Sequence, residues 1–136
     1  METKLELTNR VTDVSRLETF LKKIGEKLSL SSSMVFQLNI ALEEVVSNVM
    51  LYAFPRHESH TFQLTFQLSA GQLVFTLTDD GIPFNPTEVP GIDLSVPAEE
   101  RPVGGLGVFL ARMLMDEVNY RREDDKNILT LIKYVN

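Results

Sequence analysis

The sequence predicts an α+β fold, a two-layer α/β sandwich with three main helices on a mixed, mostly antiparallel sheet. Three observations lead there. Phe62, Leu64, Phe66 and Leu68 alternate with Thr61, Gln63, Thr65 and Gln67, as in a strand with one buried and one wet face. Val14, Leu17, Leu21, Ile24 and Leu28 recur at helical spacing. The elements run β-α-α-β-β-loop-α-β-β, without the regular alternation of a doubly wound sheet, which favours helices on one face of an antiparallel sheet.

The first strand covers residues from about 3 to 9, where Thr3, Leu5 and Leu7 alternate with Lys4, Glu6 and Thr8. A helix from Asp13 to Leu28 follows. Ser29 to Ser33 breaks it and offers hydroxyls to cap a second helix, about Met34 to Ala53, which stops before Pro55. After the Phe62 strand, Ala70-Gly71 makes a hairpin turn into a partner strand from Gln72 to Asp79. Gly81 to Val103 holds five of the six prolines and no period, and loops of this length are usually functional or disordered. A third helix is expected from about Leu106 to Val118. Two strands, Asn119 to Arg122 and Ile128 to Val135, close the fold around a polar turn at Asp124 to Asn127.

The 136 residues carry a formal net charge of -6 and 43% hydrophobic residues, as expected of one soluble domain spanning 1–136. Without cysteine there is neither a disulfide framework nor a thiolate metal site. No apolar run approaches membrane-spanning length, and Met1 to Glu6 lacks the apolar core of a signal peptide. The expected location is cytoplasmic, with no membrane partner. A pI near 4.9 argues against a direct grip on nucleic acid.

Three constellations carry chemistry. In the second helix Glu44 and Asn48 stand four apart on one face, beside Glu43 and Ser47, and no lysine or arginine occurs between Lys27 and Arg56. Carboxylates and an amide oxygen suit a hard cation such as Mg²⁺, or a base working beside one; a plain solvated stripe is the bland alternative. Asp79-Asp80-Gly81-Ile82-Pro83-Phe84 ends an apolar strand. A carboxylate there can accept from the exocyclic amine of adenine, which guanine replaces with a carbonyl, and Gly81 allows close backbone approach. A simple Asp-Gly turn has the same wording. Gly104-Gly105-Leu106-Gly107 leads into a helix, where bare amides and the helix dipole favour phosphate; a flexible hinge is the competing reading. It is neither a Walker A loop nor a Rossmann fingerprint.

In this order and combination the boxes resemble those of the GHKL ATPases. Ala41-Leu42-Glu43-Glu44-Val45-Val46-Ser47-Asn48, Arg101-Pro102-Val103-Gly104-Gly105-Leu106-Gly107 and Met115-Asp116-Glu117-Val118 are similar to those of anti-sigma-factor serine/threonine kinases, the RsbW-like branch. The resemblance implies the Bergerat ATPase fold and use of ATP with Mg²⁺. It implies Asn48 as metal ligand, Glu44 as general base, and Asp79 on the adenine amine with Gly81 beneath the base. Residues from about Asn85 to Val103 would form a lid, Gly104, Gly105, Leu106 and Gly107 would wrap the phosphates, and Arg101 would approach the γ-phosphate or remain a surface charge. Two departures stand out: Pro83 replaces a frequent glycine, and Asn127 stands where many relatives have an adenine-binding threonine.

The implied activity is transfer of phosphate from ATP to a serine or threonine of a STAS-domain anti-anti-sigma factor, by a homodimer that also holds a sigma factor. A nucleotide-sensing module that sequesters a partner without phosphoryl transfer is the alternative. The catalytic half of a histidine kinase is disfavoured, because the sequence shows no dimerisation helix with a phosphoacceptor histidine; His57 and His60 lie in a loop before a strand, where surface positions are expected.

Overall fold

The computed structural model describes residues 2–55, 58–88 and 108–135. Its elements are β1 (Glu2–Thr8), α1 (Val14–Leu28), α2 (Ser32–Asn48), β2 (Thr61–Ser69), β3 (Gln72–Asp79), α3 (Phe109–Leu114), β4 (Glu117–Glu123) and β5 (Lys126–Tyr134). The five strands form one sheet in the order β1-β2-β3-β5-β4. Every pairing among them is antiparallel, the stricter form of the mostly antiparallel sheet expected. Leu7, Phe62, Leu64, Phe66, Leu73, Phe75, Leu77, Leu129 and Leu131 are buried along these strands and form one core with Leu17, Leu21, Leu38, Leu42 and Val45 of the helices. Lys4, Gln63, Gln67, Thr76 and Thr130 occupy alternate positions.

Local chemistry sets the joints. Asp13 accepts from both the hydroxyl and the backbone N–H of Thr8, at 2.7 and 2.8 Å, which ties the end of β1 to the start of α1. Those bonds, the hydroxyl's first, hold its carboxyl below the ordinary range. Ser29 ends α1 in the left-handed region, and the hydroxyl oxygen of Ser31 caps α2 by accepting from Met34 N–H at 3.1 Å. Both hairpins turn on two residues with positive φ: Ala70-Gly71 (47° and 79°) and Asp124-Asp125 (53° and 61°).

Two helix ends differ from expectation. The expected continuation of α2 to Ala53 winds as a π-helix over Val49–Ala53, a wider turn often found at functional sites, before Pro55 stops it. The third helix ends at Leu114 rather than Val118. The spacing of Leu110, Leu114 and Val118 suits a helix, but Glu117 and Val118 pair with Ile132 and Leu131 of β5. Asp116 is also taken by the sheet, donating its N–H to Ile132 O at 2.9 Å and accepting from Tyr134 N–H at 2.7 Å. Against the expectation that no apolar run approaches membrane-spanning length, Ser32–Ala53 is long and apolar enough by composition; Leu38, Ala41, Leu42, Val45 and Val46 on it are core residues.

Candidate functional site

Asp79, Asn48 and Asn127 are the buried polar side chains among the described residues, each 6–7% exposed, and all three line one cavity. Its walls are otherwise apolar: Val45, Val49, Ala53, Leu77, Phe84, Pro86, Tyr120 and Leu129, around 360 Å³ of empty space that includes solvent at the mouth. A mostly apolar recess with a few convergent polar groups is the ordinary form of a small-molecule site. The fold builds it at the end of the central strands, where Asp79 of β3 and Asn127 of β5 are direct cross-strand partners.

Asp79 continues the inward phase of Leu73, Phe75 and Leu77. Its Oδ1 accepts from Gly81 N–H and from the Asn127 amide, both at 2.9 Å, while Oδ2 has no hydrogen-bond partner among the described residues. Burial pushes the carboxyl above its ordinary range, against the lowering effect of those two bonds. A buried acceptor with a spare oxygen fits a ligand carrying an N–H donor.

Gly81 has a reason of its own. A Cβ there would lie 2.3 Å from Ala53 O, and the next residue, Ile82, donates its N–H to that same carbonyl at 3.0 Å. The turn after β3 is thus pressed against the π segment, and Tyr52 and Phe84 add a ring contact at 6.3 Å.

Glu44 lies one helical turn before Asn48, outside the cavity lining and half-buried between α2 and α3. Its two oxygens accept from Leu110 N–H at 3.2 Å and Ala111 N–H at 3.0 Å, the free amides of the first turn of α3. Desolvation raises its pKa despite these bonds. The Asn48 side-chain oxygen is a hard donor suited to Mg²⁺. No group of three His, Asp or Glu residues that could hold a metal occurs among the described residues. His60 is partly exposed, stacks on Phe54 at 4.4 Å and meets Glu58 at 2.9 Å. Arg101, Gly104, Gly105, Leu106, Gly107, most of the expected lid and His57 lie outside the described residues.

The sequence profile of the histidine kinase-like ATPase domain matches residues 7–133. The chain belongs to this ATPase family. It is also similar to the serine/threonine-protein kinase BtrW of Bordetella bronchiseptica, with 25% identity over 130 residues, 96% of this chain and 92% of that one. The serine-protein kinase RsbW of Listeria monocytogenes is 26% identical over 136 residues, covering 97% of this chain and 86% of its own length. A solved structure of the RsbU and RsbW domains of Rv1364c from Mycobacterium tuberculosis superposes with a TM-score of 0.71 at 13% identity. That match takes in 99% of this chain and 32% of the longer mycobacterial one, and it shows the fold. The α+β sandwich with helices on an antiparallel sheet is therefore this family's architecture. Asn127 is the residue whose full part the sequence left unread. Its signal was phase, two positions before Leu129 and four before Leu131 on the inward face.

Proposed function

We propose that this ATPase-family chain is a Mg²⁺-dependent protein serine/threonine kinase and anti-sigma factor, which phosphorylates a STAS-domain anti-anti-sigma protein and acts as a cytoplasmic homodimer in transcription regulation. The observation that carries the reading is the buried Asp79 with one oxygen unpartnered among the described residues, in an apolar recess that also holds Asn48 and lies one helical turn from Glu44. Full-length similarity to kinases named RsbW and BtrW supports it. In this reading Asp79 accepts from the adenine amine, with Gly81 below the base. Asn48 holds Mg²⁺, which when bound supplies charge neutralisation to the phosphates. Gly104, Gly105, Leu106 and Gly107 wrap those phosphates and Arg101 approaches the terminal one. The hydroxyl oxygen of the partner forms the new P–O bond as the bond to ADP breaks, and its proton passes to Glu44. Each Glu44 oxygen takes one amide and keeps a second lone pair for that proton.

One observation favours the alternative, a nucleotide-sensing module that holds a partner without transfer: Glu44 already has a structural task as the cap of α3. Transfer of labelled phosphate from ATP to a cognate STAS-domain protein decides between them. The wild type transfers and Glu44→Gln falls by roughly 10²-fold or more with ATP affinity retained. A wild type that binds ATP and the partner yet transfers nothing selects the module.

A further inference from the structure

Asn127 makes every hydrogen bond its amide can make to the surroundings of Asp79. The nitrogen donates to Asp79 Oδ1 at 2.9 Å and to Ile82 O at 2.8 Å. The oxygen accepts from Phe84 N–H at 3.3 Å and from the Tyr120 hydroxyl at 2.6 Å. Two donors and two acceptor sites are all filled, so only one orientation of this amide fits. A flip would set its oxygen against a carboxylate and a carbonyl, and its NH₂ against the Phe84 N–H. The Tyr120 hydroxyl, able to donate or accept, donates here and anchors the amide oxygen. Ile82 and Phe84 flank Pro83, so one side chain grips the turn on both sides of the proline and the carboxylate as well. With its own groups used, Asn127 has none to spare for a base in the cavity.

We propose that Asn127, anchored by the Tyr120 hydroxyl, is a positioning residue for nucleotide selection: it occupies Asp79 Oδ1 and clamps the Ile82–Phe84 turn, so that Asp79 Oδ2 alone selects a purine bearing a 6-amino group. This rests on the reading of the cavity as an adenine site, and it extends that reading to two residues that act through Asp79. Phe84 and Tyr120 also line the cavity, which couples the clamp to the walls that would flank the base. Among the described residues Asp80 and Arg122 are charged groups that act on Asp79, Lys126 shares a neighbouring recess with it, and Arg122 is engaged with Gly81 O at 2.9 Å.

The test compares ATP with purine riboside triphosphate, which carries hydrogen where adenine has its amine. Affinities are measured by calorimetry for wild type, Asn127→Ala and Tyr120→Phe, with melting temperatures alongside. Wild type is expected to prefer ATP. Asn127→Ala frees the Asp79 carboxylate to rotate, so ATP affinity falls roughly tenfold or more while the analogue changes little and the preference collapses. Tyr120→Phe keeps the ring and removes only the hydroxyl; it is expected to lose about threefold in ATP affinity with the analogue unaffected. This milder change carries the test should Asn127→Ala fail to fold. Equal losses for both nucleotides, or an undiminished preference in the variants, overturn the proposal while leaving the adenine reading intact. A wild type that binds both nucleotides equally overturns the adenine reading and this inference with it.

Discussion

Two carboxylates, Asp79 in the cavity and Glu44 outside its lining, share one electrostatic condition and differ in what holds them. Burial raises the pKa of both Asp79 and Glu44. Asp79 is fixed within the sheet: its partner Asn127 is locked by four bonds, and its second donor is the amide two residues on. Glu44 is held across a helix–helix joint, by two amides of a six-residue helix that is 66 and 67 positions away in sequence. In the proposed reading, recognition is thus built on a hydrogen-bonded ladder, and the chemistry on a joint that lies outside the sheet. A base must meet its substrate and then release it, whereas a selector gains by not moving.

The strongest way to break the rigid end is Gly81→Ala. Its new methyl would meet the Ala53 backbone, so a loss of about 3 kcal/mol is expected, with nucleotide affinity falling alongside; urea denaturation and calorimetry check both. Next, Asp79→Asn should weaken ATP binding roughly tenfold to a hundredfold while protein stability holds or rises, since a buried charge is removed. An Asp79→Asn protein that melts well below wild type would show that the carboxylate is there for the fold.

The acid range sharpens the comparison. For a carboxylate whose folded pKa is raised, the stabilising contribution is fully present below the ordinary value and is lost as pH rises through the folded value. Asp79 and Glu44 therefore both favour the folded state more at acid pH than at neutrality. Asp13, with its lowered pKa, does the opposite: its contribution is present above the ordinary range and lost as pH falls through the folded value. Denaturation series from the carboxylate range to neutrality should show Asp79→Asn gaining on wild type as pH rises, and Asp13→Asn losing. The smallest effect belongs to the joint: Glu44→Gln keeps one acceptor of two, costing about 1 kcal/mol, with faster amide exchange at Leu110 and Ala111 but not at Asp79.

The Asp79 end of the candidate site is more legible in the sequence than the Glu44 end. The strand Gln72–Asp79 was readable to its last residue, because alternation and a two-residue turn are local signals that leave Asp79 at the strand's end. The third helix was read too long because Val118 keeps helical spacing, and only the distant pairing with Leu131 assigns it to β4. Asn127 was grouped with the polar turn after Asp124, although it is the first inward position of β5. The cap that Glu44 places on α3 had no local signal at all. It joins residues that meet only once the chain has folded.

The Asp79–Asn127 bond has a kinetic consequence. The hairpins β2–β3 and β4–β5 each close on two residues, and such contacts form early and cheaply. The β3–β5 pairing instead joins residues 48 apart at the cavity, across the whole segment that contains the expected lid and α3. Loop-closure entropy delays such a ladder, so the cavity should be among the last parts of the protein to assemble and the first to be lost. On the proposed reading, nucleotide bound there would stabilise an arrangement expected to form after the transition state. It is then expected to slow unfolding several-fold and to leave the folding rate nearly unchanged, so that ATP would lengthen the lifetime of this fold without hastening its birth.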